Sequence, residues 1–147
     1  IANCLVGSEM CIRDSPKIVL AETEINALGP MMVTRGLVEL LEAGNNPVVM
    51  NTSSQLGSMV IGAMMPFDVA YNVSKAAVNM ITVMSASTNK NIAFVALHPG
   101  WVKTDMGTEA AELEVPDAAN AIVESLLGLT IEDTGRFIRW DGTDHPW

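Results

Sequence analysis

Tyr71 and Lys75 stand four positions apart in Tyr71-Asn72-Val73-Ser74-Lys75. In a helix that spacing puts a phenol and an ammonium on one face. A cation so placed favours the phenolate, drawing the phenol down from its free pKa of about 10 toward a value useful for proton transfer. By itself the spacing describes an exposed helical pair more readily than a catalytic one, and its surroundings reverse that balance. Tyr71, Lys75 and Val78 share one side of a helical wheel, with Ala77, Met80, Ile81 and Met84 broadly opposite. Ser54 lies upstream in Ser54-Gln55-Leu56-Gly57, just past an apolar run at 48–52. Pro99-Gly100-Trp101-Val102-Lys103-Thr104 leaves a second apolar run at 92–97. The carboxyl ends of strands are where open parallel sheets bind ligands, although a loop serine also serves as an ordinary turn cap. His98 and His145 are far apart in sequence and neither has metal-ligand spacing, so no metal site is expected.

The elements that must position these residues follow from periodicity. Over 17–42, Ile18, Ile25, Leu28, Met32, Leu40 and Leu41 recur at roughly helical spacing, and Gly44 supplies a stop. Gly29-Pro30 interrupts this helix: Pro30 has no N–H for the carbonyl four residues earlier, so the Asn26 carbonyl is expected to be free. Asn45-Asn46-Pro47 marks a turn, residues 48–52 a short buried strand, and residues 53–58 a loop of mainly small residues. Residues 68–87 read as a helix and 92–97 as a second strand, which implies a parallel crossover. Between 105 and 117, Asp105, Glu109, Glu112, Glu114 and Asp117 occur with no basic residue, as in a solvated loop. A last helix runs from Pro116 or Asp117 to Leu127, with Pro at its start. Phe137-Ile138-Arg139-Trp140 is a final strand, closed by the Asp141-Gly142 turn. Met31, Met32, Met80 and Met84 read as core. The class is α/β, and three strands describe half of a doubly wound parallel sheet.

The chain has 147 residues, with 17 acidic against 8 basic side chains and a formal charge of −9. That balance argues against a nucleic-acid backbone or an anionic membrane as partner, both of which need Lys/Arg patches. No apolar run approaches the roughly 18 residues of a bilayer span. Two Cys are too few for a disulfide scaffold. A soluble, cytoplasmic domain is the expectation. Residues 4–15 have no helix or strand period and resemble the in-frame translation of a sequencing-library adapter, so residues 1–15 are expected to be non-native.

Four blocks occur in order: Glu24-Ile25-Asn26-Ala27-Leu28-Gly29, Asn51-Thr52-Ser53-Ser54-Gln55-Leu56-Gly57, Tyr71-Asn72-Val73-Ser74-Lys75-Ala76-Ala77 and His98-Pro99-Gly100-Trp101-Val102-Lys103-Thr104. Together they resemble the short-chain dehydrogenase/reductase family over nearly all of 16–147. The run from Leu97 to Val102 and the Gly135-Arg136-Phe137, Asp141-Gly142 and Pro146-Trp147 ending look most like its sniffer and C-factor type of carbonyl reductases.

The resemblance implies the C-terminal part of a Rossmann-like doubly wound parallel sheet. In that part, residues 16–147 form the catalytic portion of a single NAD(P)-binding domain. It implies NAD or NADP as cofactor and a small carbonyl or alcohol as substrate. Tyr71 would be the general acid/base, with Lys75 holding the nicotinamide ribose hydroxyls and depressing the Tyr71 pKa. Ser54 would hydrogen-bond the reacting oxygen, and Asn26 would fix a water beside Lys75. Pro99, Gly100, Val102 and Thr104 would meet the nicotinamide end of the cofactor, Thr104 at its carboxamide, and Trp101 would line the substrate pocket.

Two departures accompany the resemblance. Seventeen positions separate Ser54 from Tyr71, about four more than many members show, so Ser58, at a separation of thirteen, is the runner-up serine. The extra residues imply an enlarged loop at 59–66 over the substrate. No Gly-x-x-x-Gly-x-Gly or Gly-x-Gly-x-x-Gly occurs, so most of the phosphate-binding half is not in this chain. Alternatives on the same fold are a non-catalytic, cofactor-binding signalling or regulatory protein, or an inactive truncated product. The family also implies a homodimer through its long helices, here Met-rich.

Overall fold

The computed structural model describes residues 15–65 and 68–147. The adapter-like segment lies outside the described residues except for Ser15, which caps the first helix by accepting from the Ile18 N–H.

Helix α1, Pro16–Thr23, starts with proline in its first turn, where a missing N–H costs nothing. It passes through a π turn, Glu24–Leu28, into α2, Gly29–Glu42. The departure from α geometry falls where the sequence places it, around Asn26 and Gly29-Pro30. Its form is a wider turn in which the Gly29 N–H reaches back to the Glu24 carbonyl. The interrupted helix expected over 17–42 is thus three consecutive segments, α, π and α. A proline that removes a donor leaves the ladder one bond short, and the π turn is one way to absorb the mismatch.

Strand β1, Val48–Thr52, matches its expected limits. Helix α3, Val69–Thr88, is capped by Asp68, whose carboxylate accepts from the Tyr71 N–H at 2.9 Å. Strand β2, Ala93–His98, is buried at every position, as expected of the middle strand of a parallel sheet. Helix α4, Val115–Gly128, returns to β3, Phe137–Arg139. The final strand stops before Trp140 because the Gly142 N–H turns back to the Arg139 carbonyl at 2.9 Å, with Gly142 at φ +79°.

The sheet is entirely parallel, in the order β1-β2-β3. Val48 to Thr52 pair with Ala93 to Leu97, and Ala96 to His98 with Phe137 to Arg139. Alternation along β2 divides the core between the faces. Val95 and Leu97 pack with Ile138 and Leu129 under Ile122 and Leu126 of α4. Phe94 packs with Ile92 and Ala86 under Val38 and Leu41 of α2. Helices therefore cover both faces of the sheet, and β1 forms one of its outer edges.

Two expectations about side-chain faces are corrected. Met31, Met32, Met80 and Met84 are exposed rather than core, because Val38 and Leu41 of α2 and Ala86 of α3 take the sheet-facing positions. The acidic stretch is closed at its base rather than simply solvated. The Lys103 N–H donates to the Leu113 carbonyl at 2.8 Å and the Leu113 N–H to the Trp101 carbonyl at 3.1 Å. Lys103 also pairs with Glu114, and Asp117 belongs to the first turn of α4. No helix among the described residues is long and apolar enough to cross a membrane.

Candidate active site

α3 leaves its Asp68 cap with Tyr71 in its first turn and Lys75 one turn on. Lys75 is buried, donates from Nζ to the Thr52 carbonyl at 3.0 Å, and holds Nζ 5.4 Å from the centroid of the Tyr71 ring. Thr52 is the last residue of β1, so the ammonium ties the helix to the carboxyl end of the sheet. Ser54 lies two residues beyond, buried, with extended backbone. Its Oγ accepts from the Leu56 N–H at 3.2 Å, and its side chain lies near enough to the Tyr71 phenol to draw that phenol's pKa down. The turn-capping and site-facing readings of this serine therefore coexist.

Asn26 comes from the π turn. Its Nδ2 donates to Ser74 Oγ at 3.0 Å, and Ser74 Oγ donates in turn to the Tyr71 carbonyl at 2.8 Å. Three separate stretches of sequence thus bring Asn26, Ser54, Tyr71 and Lys75 to one end of the sheet. Ser58 is also buried, but its Oγ accepts from the N–H groups of Val60 and Ile61 at 3.2 and 3.1 Å, holding the start of the loop at 59–65.

Electrostatics here differ from the expectation at Tyr71. Its phenol is pushed up, first by burial, against the lowering effect of the Ser54 side chain, and further by the carboxylates of Glu22 and Asp68. The expected lowering by Lys75 is not the outcome, because the ammonium lies toward the ring and the Thr52 carbonyl. Burial pushes the Lys75 ammonium down.

At the end of β2, Gly100 adopts φ +85°, which glycine tolerates without strain. A Cβ there would stand 2.8 Å from Trp140 Cδ1 and run into Leu113 Cδ1, so the turn after Pro99 is packed from behind. Val102 bridges to Leu113, and Trp101 is half exposed. Thr104 Oγ1 accepts from the Gly107 N–H at 3.1 Å and lies 3.4 Å from the Val102 carbonyl, its donor target. Its hydroxyl is engaged within its own turn.

The short chain dehydrogenase sequence profile matches residues 7–114. This chain belongs to the short-chain dehydrogenase/reductase family. Among relatives of this chain, the C-signal of Myxococcus xanthus is 41% identical over 130 residues, which cover 84% of the chain and 75% of C-signal. Short-chain dehydrogenase srdF of Neurospora crassa is 36% identical over 146 residues, covering 89% and 57%. The carbonyl reductase Sniffer of D. melanogaster superposes with a TM-score of 0.84 at 31% identity, covering 92% of this chain and 59% of that one. The NADPH-bound carbonyl reductase from chicken fatty liver gives 0.83 at 28% identity, covering 91% and 59%. The chain thus spans a little under three fifths of the length of srdF, Sniffer and the chicken reductase.

Within this short-chain dehydrogenase fold, three contacts were not visible in the sequence. The Glu22 carboxylate of α1 pushes the Tyr71 phenol up from a position 49 residues upstream that no local pattern connects. Ser74 links Asn26 to the Tyr71 backbone, and its position inside the Tyr-x-x-x-Lys stretch was the available signal. His98 and His145, unrelated in sequence, meet edge to face with ring centroids 5.4 Å apart. Pairing of His98 with Arg139 and the His145 N–H bond to the Phe137 carbonyl bring them together. His98 is buried, its Nδ1 has no partner among the described residues, and burial, with His145 and Arg139, pushes it down to about 4. Among the described residues no three His, Cys, Asp or Glu side chains are grouped to hold a metal.

Proposed function

We propose that these residues serve an NAD(P)-dependent oxidoreductase acting on a small carbonyl or alcohol substrate, with Tyr71 as general acid/base. The observation that carries the reading is the buried Lys75 ammonium, held by the Thr52 carbonyl at the carboxyl end of a parallel sheet and beside the Tyr71 ring.

The residues fit a nicotinamide nucleoside. Lys75 is a buried ammonium whose pKa is lowered by burial. One of its three protons goes to Thr52, and the other two suit the vicinal hydroxyls of a ribose. The Pro99–Gly100 turn and Val102 lie at the end of the adjoining strand. Thr104 would have to turn its hydroxyl away from Val102 to reach a carboxamide.

When bound, the dihydronicotinamide supplies the hydride. Tyr71 then transfers its hydroxyl proton to the carbonyl oxygen as that oxygen gains negative charge. Ser54 Oγ donates a hydrogen bond to the same oxygen, stabilising it as charge develops. A phenol pushed above its ordinary pKa is protonated at neutral pH, which suits the reducing direction. Asn26, tied through Ser74 to the Tyr71 backbone, would fix a water through which the proton is returned. Trp101, half exposed, is available to the substrate's apolar part.

The reading is tested by NMR saturation transfer with nicotinamide mononucleotide and with adenosine monophosphate, together with turnover by the product of the complete gene. Nicotinamide mononucleotide should bind the 147-residue chain and lose that binding in Lys75→Ala, while the adenosine half shows none. Tyr71→Phe should lower kcat by about 100-fold or more, the scale of general acid/base catalysis. Undiminished turnover by Tyr71→Phe would overturn the reading. The 41% identity to C-signal supports a second reading, a non-catalytic signalling role, for which Tyr71→Phe would leave biological output unchanged.

A further inference from the structure

Asn79 lies one helical turn past Lys75 on α3 and is buried, 5% exposed. Both ends of its amide are used. Oδ1 accepts from Ser53 Oγ at 2.5 Å, and Nδ2 donates to the Gly57 carbonyl at 3.2 Å. Ser53 and Gly57 are the two ends of the short loop that carries Ser54. That loop has little other freedom at its ends. The Ser53 N–H donates to the Leu97 carbonyl of β2 at 2.7 Å, and Ser53 Oγ also lies 3.4 Å from the Lys75 carbonyl. Gly57 packs so closely that a Cβ on it would stand 2.7 Å from the Lys75 carbonyl carbon. Inside the loop, Gln55–Gly57 is a single tight turn with the Gly57 N–H bonded to the Ser54 carbonyl at 2.9 Å.

We propose that Asn79 is a positioning residue: by gripping Ser53 and Gly57 at once it sets the Ser54 hydroxyl against the Tyr71 hydroxyl. Helix α3 thereby carries the phenol, the ammonium and, one turn later, the amide that fixes the distance to the serine. The alternative account of a buried asparagine is simple satisfaction of its own polar atoms. It is disfavoured by where the two bonds go, since they bracket Ser54 rather than ending on one neighbouring carbonyl. The inference rests on the proposed roles of Ser54 and Tyr71.

Tyr71 is the chain's sole tyrosine. Biosynthetic replacement by difluorotyrosine therefore labels it alone, and the more acidic fluorinated phenol titrates under conditions where the chain stays folded. Fluorine NMR then follows its ionisation against pH. The groups facing it are Ser54 from the loop, Glu22 from α1, Asp68 from the helix cap, and Lys75 from the next turn. Ser54→Ala, which removes the hydroxyl that lowers the phenol, should move the midpoint to higher pH. Asn79→Ala should move it in the same direction, and the double variant no further than Ser54→Ala alone, because both act through one contact. Ser53→Ala, which removes one grip and retains the other, should give a smaller shift of the same sign. In turnover by the complete protein, Asn79→Ala should lower kcat by roughly 10- to 100-fold, as expected of a group displaced by about an ångström. A midpoint in Asn79→Ala equal to the wild type, or a double variant that shifts by the sum of the singles, would overturn the proposal. If Asn79→Ala does not fold, an unshifted Ser53→Ala does the same. The phenol midpoint reads the grip whatever the catalytic role of Tyr71, so its failure is distinct from that of the Tyr71→Phe turnover test.

Discussion

Lys75 Nζ donates to the carbonyl of Thr52 at 3.0 Å while standing 5.4 Å from the centroid of the Tyr71 ring. The ammonium is thus anchored to the sheet by a neutral acceptor, and its pKa is lowered by burial. A site built this way keeps the cation in place at a cost in stability, because desolvation acts against the charged form.

The first expectation concerns that cost. Burial lowers the Lys75 pKa in the folded state, so the unfolded chain binds the extra proton above the folded value. Stability therefore rises as pH is raised from the folded pKa toward the ordinary lysine value. Lys75→Met should flatten this alkaline part of the pH–stability profile and melt no lower than the wild type near neutrality, since Thr52 is exposed and water can serve its carbonyl. Chemical denaturation from pH 7 upward measures it, and an unchanged slope would count against the account. Loss of nicotinamide mononucleotide binding should accompany the change, a trade of function against stability.

The second concerns acid. His98 titrates near 4 when folded against an ordinary value of 6.5. The unfolded chain then takes up the proton first, so this contribution is complete above about pH 6.5 and is lost progressively down to about pH 4. The loss is on the order of 3 kcal/mol. Asp133 and Asp141, lowered from 3.8, lose their contributions only at still lower pH. His98→Leu should remove most of the dependence between pH 6.5 and 4, measured by urea denaturation at intervals across that range. A variant as acid-sensitive as the wild type would place the acid response elsewhere.

The third concerns the turn after β2. Gly100→Ala adds a methyl at φ +85° into space held by Leu113 and Trp140. It should destabilise the chain by about 1–3 kcal/mol, the range for strain at such a backbone position. It should also weaken nicotinamide mononucleotide binding by moving Pro99. Trimming the obstruction with Trp140→Ala should restore part of the loss. Equal melting temperatures for Gly100→Ala and wild type would mean the turn has room that the packing does not show.

The fourth concerns assembly. Met32, Met80 and Met84 project from α2 and α3 with more than half their surface exposed. A homodimer joined through these helices should be seen as a dimer by sedimentation velocity, and Met80→Lys with Met84→Lys should convert it to monomer. A monomeric wild type at high concentration would remove the homodimer from the reading.

Much of this architecture was legible in the residues because it rests on local signals. The strand at 48–52 is a short apolar run bounded by Asn-Pro and by serines, and it forms over those residues. The defect near Asn26 was legible because proline lacks a donor, although nothing local says whether the helix answers with a kink, a gap or a π turn. Ser54 was separable from Ser58 by its place after the strand; in the structure Ser54 caps the turn that follows β1 and Ser58 holds the start of the next loop. The destination of the Lys75 ammonium was not legible. A spacing of four puts two side chains on one face, but the Thr52 carbonyl lies 23 residues upstream and enters only through the sheet. The two histidines meet for the same kind of reason, through strand pairing and the returning C-terminal segment. The outward methionines show that composition of a helix face does not tell which face the sheet receives.

Gly57 touches the Lys75 backbone with no space for even a methyl group between them, and Asn79 bridges the same two elements. The serine loop and the middle of α3 are therefore one mechanical unit, unable to open separately. Their buried amides, those of Gly57 and Asn79 among them, should exchange with deuterated solvent through a single shared opening event, while the exposed loop at 59–65 exchanges on its own and much sooner.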